Sequence, residues 1–149
     1  MASNVNKATL EQEVQTLRSY AAEYSKQFEL LSQQLRLIES ARAESLASIE
    51  ALETLAAADG EVSTLLSLGG GVSVRATVLD TKKMLVGIGA GVTVEKSTEE
   101  AVSFLRDRII EMDASGKRLS ESLGNLQSQM AAIEQRIQEI YASAQQQTH

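Results

Sequence analysis

The sequence contains no proline, no cysteine and no tryptophan, and its single histidine is the last residue, His149. Each absence removes a class of protein. Without proline, nothing in the chain is obliged to break a helix. Without cysteine there are no disulfides and no thiolate metal sites. Without an internal histidine no Ser-His-Asp set can be assembled, and a lone terminal His is a poor general base or metal ligand. The chain is therefore not expected to be an enzyme. Aromatic residues make up only 3%, against 43% hydrophobic residues in all. Large rounded cores draw much of their area from aromatic rings, so a line of Leu, Ile, Met and Ala is the expected apolar surface. No apolar run approaches the roughly 20 residues of a membrane span. Met1–Lys7 is polar and has no apolar targeting stretch. The formal net charge of −6 leaves no basic face for nucleic acid. These readings fit a cytoplasmic protein with neither nucleic acid nor membrane as its partner.

What the chain has is two long heptad patterns. Apolar residues recur at alternating four- and three-residue steps through Leu10, Val14, Leu17, Ala21, Tyr24, Phe28, Leu31, Leu35 and Ile38. The rhythm returns at Leu105, Ile109 and Met112, then Leu119, Leu123, Leu126, Met130, Ile133, Ile137 and Ile140. A 3.5-residue repeat places one narrow apolar seam along a helix, which must bury it against another helix. The first helix is expected over 8–58, starting between Asn6 and Thr9, with Thr9 and Gln12 able to form a capping box. At 1.5 Å per residue, roughly 50 residues give a rod of about 75 Å. Asp59-Gly60 should stop it. The second helix is expected over 97–145. Ser97 as N-cap and Glu100 at the third helical position form a capping box, and Glu99 and Glu100 suit the positive end of the helix dipole. The tail after Ala144 is expected to fray.

Between the helices, over 61–96, the period changes to two. Val72, Val74, Ala76 and Val78 alternate with polar residues; Met84, Val86 and Ile88 form a second set and Val92 and Val94 a third. Val62 to Leu68 reads as an additional strand. Gly69-Gly70-Gly71, Asp80-Thr81-Lys82 and Gly89-Ala90-Gly91 are the turns. The parse is two β-hairpins at the connection of an antiparallel two-helix coiled coil, an α+β fold in one domain over 1–149. Two hairpins leave open edges and one apolar face, which must pair with something or aggregate. Oligomerisation through the strands follows, with Val72, Val74, Ala76, Val78, Met84, Val86, Ile88, Val92 and Val94 as the interface.

Other patterns carry less. Gly87, Gly89 and Gly91 do not make a dinucleotide fingerprint, because the third glycine comes one position early and a strand follows. No lysine-containing phosphate loop follows any glycine run, so no cofactor is expected. Asp59, Glu61, Glu99 and Glu100 are explained by cap chemistry and lack the spacing of a calcium loop. Arg42 and Ser45 fall at seam positions of the first helix and Gly116 at one in the second. Folding back over a connector near residue 77 puts Gly116 roughly opposite Ile38. Two readings stand for these faults: a locally thin seam, or a point at which the arm bends. At the far tip, Leu10 and Val14 should face Ile137, Ile140 and Tyr141. They either close the seam or, as the ends fray, offer apolar surface to a partner.

The stretch Leu68-Gly69-Gly70-Gly71-Val72-Ser73-Val74, then Val78-Leu79-Asp80-Thr81, then Met84 through Ser97, resembles the alpha-type subunit of archaeal prefoldin. Glu99-Glu100-Ala101 and Phe104-Leu105 extend the resemblance, which is specific over roughly residues 66–105. Ser67 and Ser73 depart from the proline and the aromatic that family members often carry there. The resemblance implies a heterohexamer of two alpha-type and four beta-type subunits, with strands from all subunits joining an intersubunit β-barrel. It implies an ATP-independent holdase that captures non-native polypeptides at the coiled-coil tips, mapped here onto Leu10, Val14, Ile137, Ile140 and Tyr141. It also implies delivery of clients to a group II chaperonin. The competing reading is a structural adaptor whose coiled coil is only a spacer.

Overall fold

The computed structural model describes residues 2–147; Met1, Thr148 and His149 lie outside them. The elements run α1 (Ala2–Ala57), β1 (Val62–Gly69), β2 (Val72–Val78), β3 (Lys83–Gly89), β4 (Val92–Ser97) and α2 (Thr98–Gln147). Two compact units are distinguished: residues up to Ile38 with those from Ser115 onward, and Glu39–Ala114.

The first unit is a helix pair. Leu10, Val14, Leu17, Ala21, Tyr24, Phe28, Leu31, Leu35 and Ile38 are all half-buried or buried, as are Leu119, Leu123, Leu126, Met130, Ile133, Ile137 and Ile140. The heptad seam is thus the buried stripe. Val14, Leu126 and Ile140 are its most enclosed members. The helices run antiparallel, since Glu13 bonds Arg136 while Leu35 and Ile38 lie nearest Gly116. A Cβ on Gly116 would sit 3.7 Å from Leu35 Cδ1 and 4.0 Å from Ile38 Cγ2, an ordinary contact.

Two helix ends differ from expectation. The capping box at Thr9 does not form, because α1 begins at Ala2 and Thr9 lies inside it. The Thr9 hydroxyl donates to the Val5 carbonyl at 2.8 Å, the back-bond that threonine makes within a helix. At the other end α2 continues through Gln147, past the expected fraying point at Ala144.

The second unit holds the rest of the helix pair and the strands. Here the seam carries Ile49 and Ile109, both buried. The polar seam residues are satisfied locally. Arg42 Nε donates to Asp113 Oδ1 at 2.6 Å, and the buried Ser45 hydroxyl donates to Ala41 O at 2.9 Å. Arg106 Nη2 donates to Glu53 Oε1 at 2.7 Å. Exposed pairs of this kind contribute about 1 kcal/mol or less, so their main effect is to select the helix register.

β1 and β2 form hairpin 1, and β3 and β4 form hairpin 2; both are antiparallel. Each carries a register shift just before its turn, between Ser67 and Gly69 and between Gly87 and Gly89. Leu68 and Ile88 are the extra residues, as in a β-bulge. The turns need left-handed backbone. Gly69, Gly70 and Gly71 take φ of 94°, 59° and 79°, and Gly89, Ala90 and Gly91 take 119°, 50° and 74°. Glycine adopts these angles freely; Ala90 does so at a cost of about 1–2 kcal/mol.

The hairpins meet the helices differently. After α1 the chain turns through Asp59 and Gly60 (φ 84°) before β1 starts at Val62. Between β4 and α2 there is no loop. Ser97 ends the strand and caps the helix: its Oγ accepts from Glu100 N at 3.1 Å, and Glu100 Oε2 accepts from Ser97 N at 3.4 Å. The expected capping box is therefore present.

Candidate assembly and binding surfaces

Hairpin 1 has little beneath it. Pairing of Leu66 with Val74, Thr64 with Ala76 and Val62 with Val78 puts these six residues on one face. Val62, Ala76 and Val78, near the open end, are half-buried; Leu66 and Val74 are exposed, as are Leu65, Leu68 and Val72. Exposed apolar residues in such a cluster make this a candidate interaction surface. Both long edges of a two-stranded sheet also carry unpaired backbone groups.

Hairpin 2 has one covered face. Met84, Val86, Val94 and Lys96 are half-buried, and the pairs Met84–Lys96 and Val86–Val94 set them on one side. That side looks into an open groove of about 420 Å³, which Met84 and Val86 line together with Leu52, Ala101, Phe104 and Leu105. Ala101 is the least exposed of the buried apolar residues, at 2%. The Arg108 guanidinium lies over the Phe104 ring, 5.7 Å from its centroid. The opposite side carries Leu85, 77% exposed, between Lys83 and Gly87. Lys83 Nζ and Glu95 Oε1 pair there at 3.6 Å.

The strand residues expected at an interface thus divide. Val72, Val74, Ile88 and Val92 are exposed, whereas Ala76, Val78, Met84, Val86 and Val94 are half-buried within the chain. Leu65, Leu66, Leu68 and Leu85 are exposed apolar strand residues that the alternation did not select. Leu65-Leu66 breaks the alternation, and Leu85 sits on its other phase. Consecutive leucines in a short strand are the signal that both of its faces are apolar.

The end of the helix pair in the first unit is closed. Val14 and Ile140 are buried, Leu10 and Ile137 half-buried, and Tyr141 exposed. Arg136 Nε donates to Glu13 Oε1 at 2.8 Å, and Arg18 Nη2 donates to the Tyr141 hydroxyl at 2.9 Å. The hydrogen bond to Glu13, and then its charge, raise the Arg136 pKa above the ordinary arginine value. Val5, which the heptad reading passed over, is 70% exposed. Among the described residues no group of three acidic or histidine side chains is placed to hold a metal, and no helix is long and apolar enough to cross a membrane.

Antiparallel seamed helices joined to two hairpins that keep exposed apolar residues define a coiled-coil and hairpin subunit. The comparisons with known proteins agree on which subunit this is. The chain matches the family described as "Prefoldin subunit" over residues 24–143. It is 68% identical over 145 residues to prefoldin subunit alpha of Methanocorpusculum labreanum, covering 97% of this chain and 99% of that one. It is 47% identical over 133 residues to prefoldin subunit alpha of Methanoregula boonei, covering 89% and 86%. A cryo-EM structure of filamentous PFD from Methanocaldococcus jannaschii has the same fold, with a TM-score of 0.65 and 24% identity over 81% of this chain and 98% of that one. The chain belongs to the prefoldin family and resembles its archaeal alpha subunits. Such a subunit assembles with other prefoldin subunits.

Proposed function

We propose that this chain is the alpha subunit of an ATP-independent holdase in the cytoplasm. Two copies join four beta-type subunits, and the hairpins of all six close an intersubunit β-barrel. The coiled-coil ends hold non-native polypeptides and pass them to a group II chaperonin. The observation that carries this reading is the unpartnered apolar surface of the hairpins, from Leu66 and Val74 to Leu85, on a chain whose heptad residues form a buried helix seam. Strand residues Val72 to Val78, Met84 to Ile88, Val92 and Val94 supply the interface.

Client contacts fall on Leu10, Val14, Ile137, Ile140 and Tyr141. Tyr141 and Val5 are already exposed, whereas Val14 and Ile140 become available only when the helix ends separate. At about 25 cal/mol per Å² of apolar area each end binds weakly. Several ends acting on one client convert weak contacts into avidity, and weakness at each end permits release without nucleotide.

The closed end favours a second reading. With Val14 and Ile140 buried and the Arg136–Glu13 and Arg18–Tyr141 bonds across the helices, the arm has the form of a finished spacer for one dedicated partner. Light scattering separates the two. A denatured client is diluted into this chain with a beta-type partner and no nucleotide. Suppressed aggregation at near-stoichiometric complex is the expected result; full aggregation beside an intact hexamer selects the adaptor. Deleting residues 1–14 and 137–149 should leave the hexamer and weaken capture, and unchanged capture would move the client surface elsewhere.

A further inference from the structure

Two threonines stand out in a chain with few enclosed residues. Thr98 is 4% exposed and Thr81 5%, and neither belongs to the helix seam or to an apolar strand face. The Thr98 hydroxyl donates to the Thr81 carbonyl at 2.7 Å, and the Thr98 N–H donates to the Lys82 carbonyl at 3.0 Å. The Lys82 N–H in turn donates to Asp80 Oδ1 at 2.9 Å. The bond to Lys82 extends the ladder one step past the Lys83–Ser97 pair. The first residue of α2 is therefore bonded as helix and as strand at once.

These bonds fasten the connector between the hairpins to the β4–α2 junction. Hairpin 1 leaves from that connector, since Val78, which pairs with Val62 at its open end, lies two residues before Asp80. The other root of hairpin 1, Asp59–Glu61, has no hydrogen bond to the helix pair among the described residues. Among the described residues, hairpin 1 is tied by hydrogen bonds at the threonine pair, and its other root has only the Ala58 N–H donating to the Leu55 carbonyl at 3.2 Å, where α1 ends. Ordering a mobile element on binding costs free energy, and preorganisation removes that cost.

We propose that Thr98 is a positioning residue for assembly. Its buried hydroxyl fixes the connector, and with it the direction in which hairpin 1 leaves the helix pair to meet a neighbouring prefoldin subunit. The inference rests on strand-mediated assembly. The hydroxyl is the working group because the enclosed Thr81 carbonyl needs a donor, which valine matches in shape and cannot supply.

Thr98→Val, Thr98→Ser and Asp80→Ala in the full chain test this. Assembly with a beta-type subunit is followed by native mass analysis over a dilution series, and the connector by hydrogen exchange at residues 79–83. Thr98→Val should speed exchange there and weaken assembly by about tenfold while the helical circular dichroism is retained. Thr98→Ser should restore assembly to within about threefold of the native chain. Asp80→Ala removes an exposed acceptor and leaves the buried hydroxyl in place. It should act in the same direction by about twofold, and it keeps the test open if Thr98→Val loses helix. Faster connector exchange with native assembly in Thr98→Val overturns the proposal, as does failure of Thr98→Ser to restore it. Unchanged assembly in Asp80→Ala counts against it in the same way. Val74→Asp separates the two levels: if it assembles normally, strand-mediated assembly fails; if it does not assemble and Thr98→Val does, only the role of Thr98 fails.

Discussion

Hairpin 1 and hairpin 2 have similar lengths, the same register shift before the turn and the same left-handed turn backbone, yet only hairpin 2 rests one side against the helices. Met84 and Val86 have Leu52, Ala101 and Phe104 to pack on, whereas Leu66 and Val74 have no comparable cover. An isolated two-stranded hairpin is marginal in water. Hairpin 2 has cover from its own chain, and on the proposed assembly hairpin 1 would take its cover from a neighbour. The same strand chemistry is therefore covered by the chain itself in one place and left exposed in the other.

The largest effects should come from charges that separate these two uses. Val86→Asp puts a carboxylate against Leu52 and Phe104 and should destabilise the isolated chain by about 2 kcal/mol. Val74→Asp should change that stability by no more than about 0.5 kcal/mol and yet abolish assembly. Denaturant titration of the isolated chain, beside native mass analysis of the mixture with a beta-type partner, checks both. Equal destabilisation by the two would erase the distinction between the hairpins. Next in size is the turn. Hairpin 1 turns on Gly-Gly-Gly and hairpin 2 on Gly-Ala-Gly, with Ala90 at φ 50°. Ala90→Gly should stabilise the chain and Gly70→Ala destabilise it, each by about 1 kcal/mol, read from the same titrations. The smallest effect belongs to the exposed Lys83–Glu95 pair: Lys83→Ala should cost only a few tenths of a kcal/mol, and a larger loss would mean that the outer face of hairpin 2 relies on charge.

Where one residue type has one use, the sequence was a sufficient guide. The heptads became the buried stripe, and Ser97 with Glu100 became the cap of α2. Thr9 was misread because a threonine hydroxyl can cap a helix end or bond back inside a helix, and local sequence does not distinguish them. Thr81 read as a turn residue and Thr98 stood unmarked beside the Ser97 cap; their burial arises from a contact 17 positions apart in the chain. Alternation also identifies strand faces without saying which one the chain itself covers, so Val74 and Val86 looked equivalent. The bulges at Leu68 and Ile88 shift register by one residue, a change that composition does not encode.

The bond from Arg136 to Glu13 joins residues 123 positions apart, and that separation bears on how the chain is made. Synthesis delivers Leu10 to Ile38 early, while the residues that cover them from the far end of α2 come last. At about 5–20 residues per second the wait between Glu13 and Arg136 is roughly 6–25 s. Hairpin formation takes only microseconds, so once the start of α2 emerges to cover hairpin 2, the helix pair has a strand end from which to zip toward the termini. Until it does, the nascent first helix carries a bare apolar seam and is itself in need of cover.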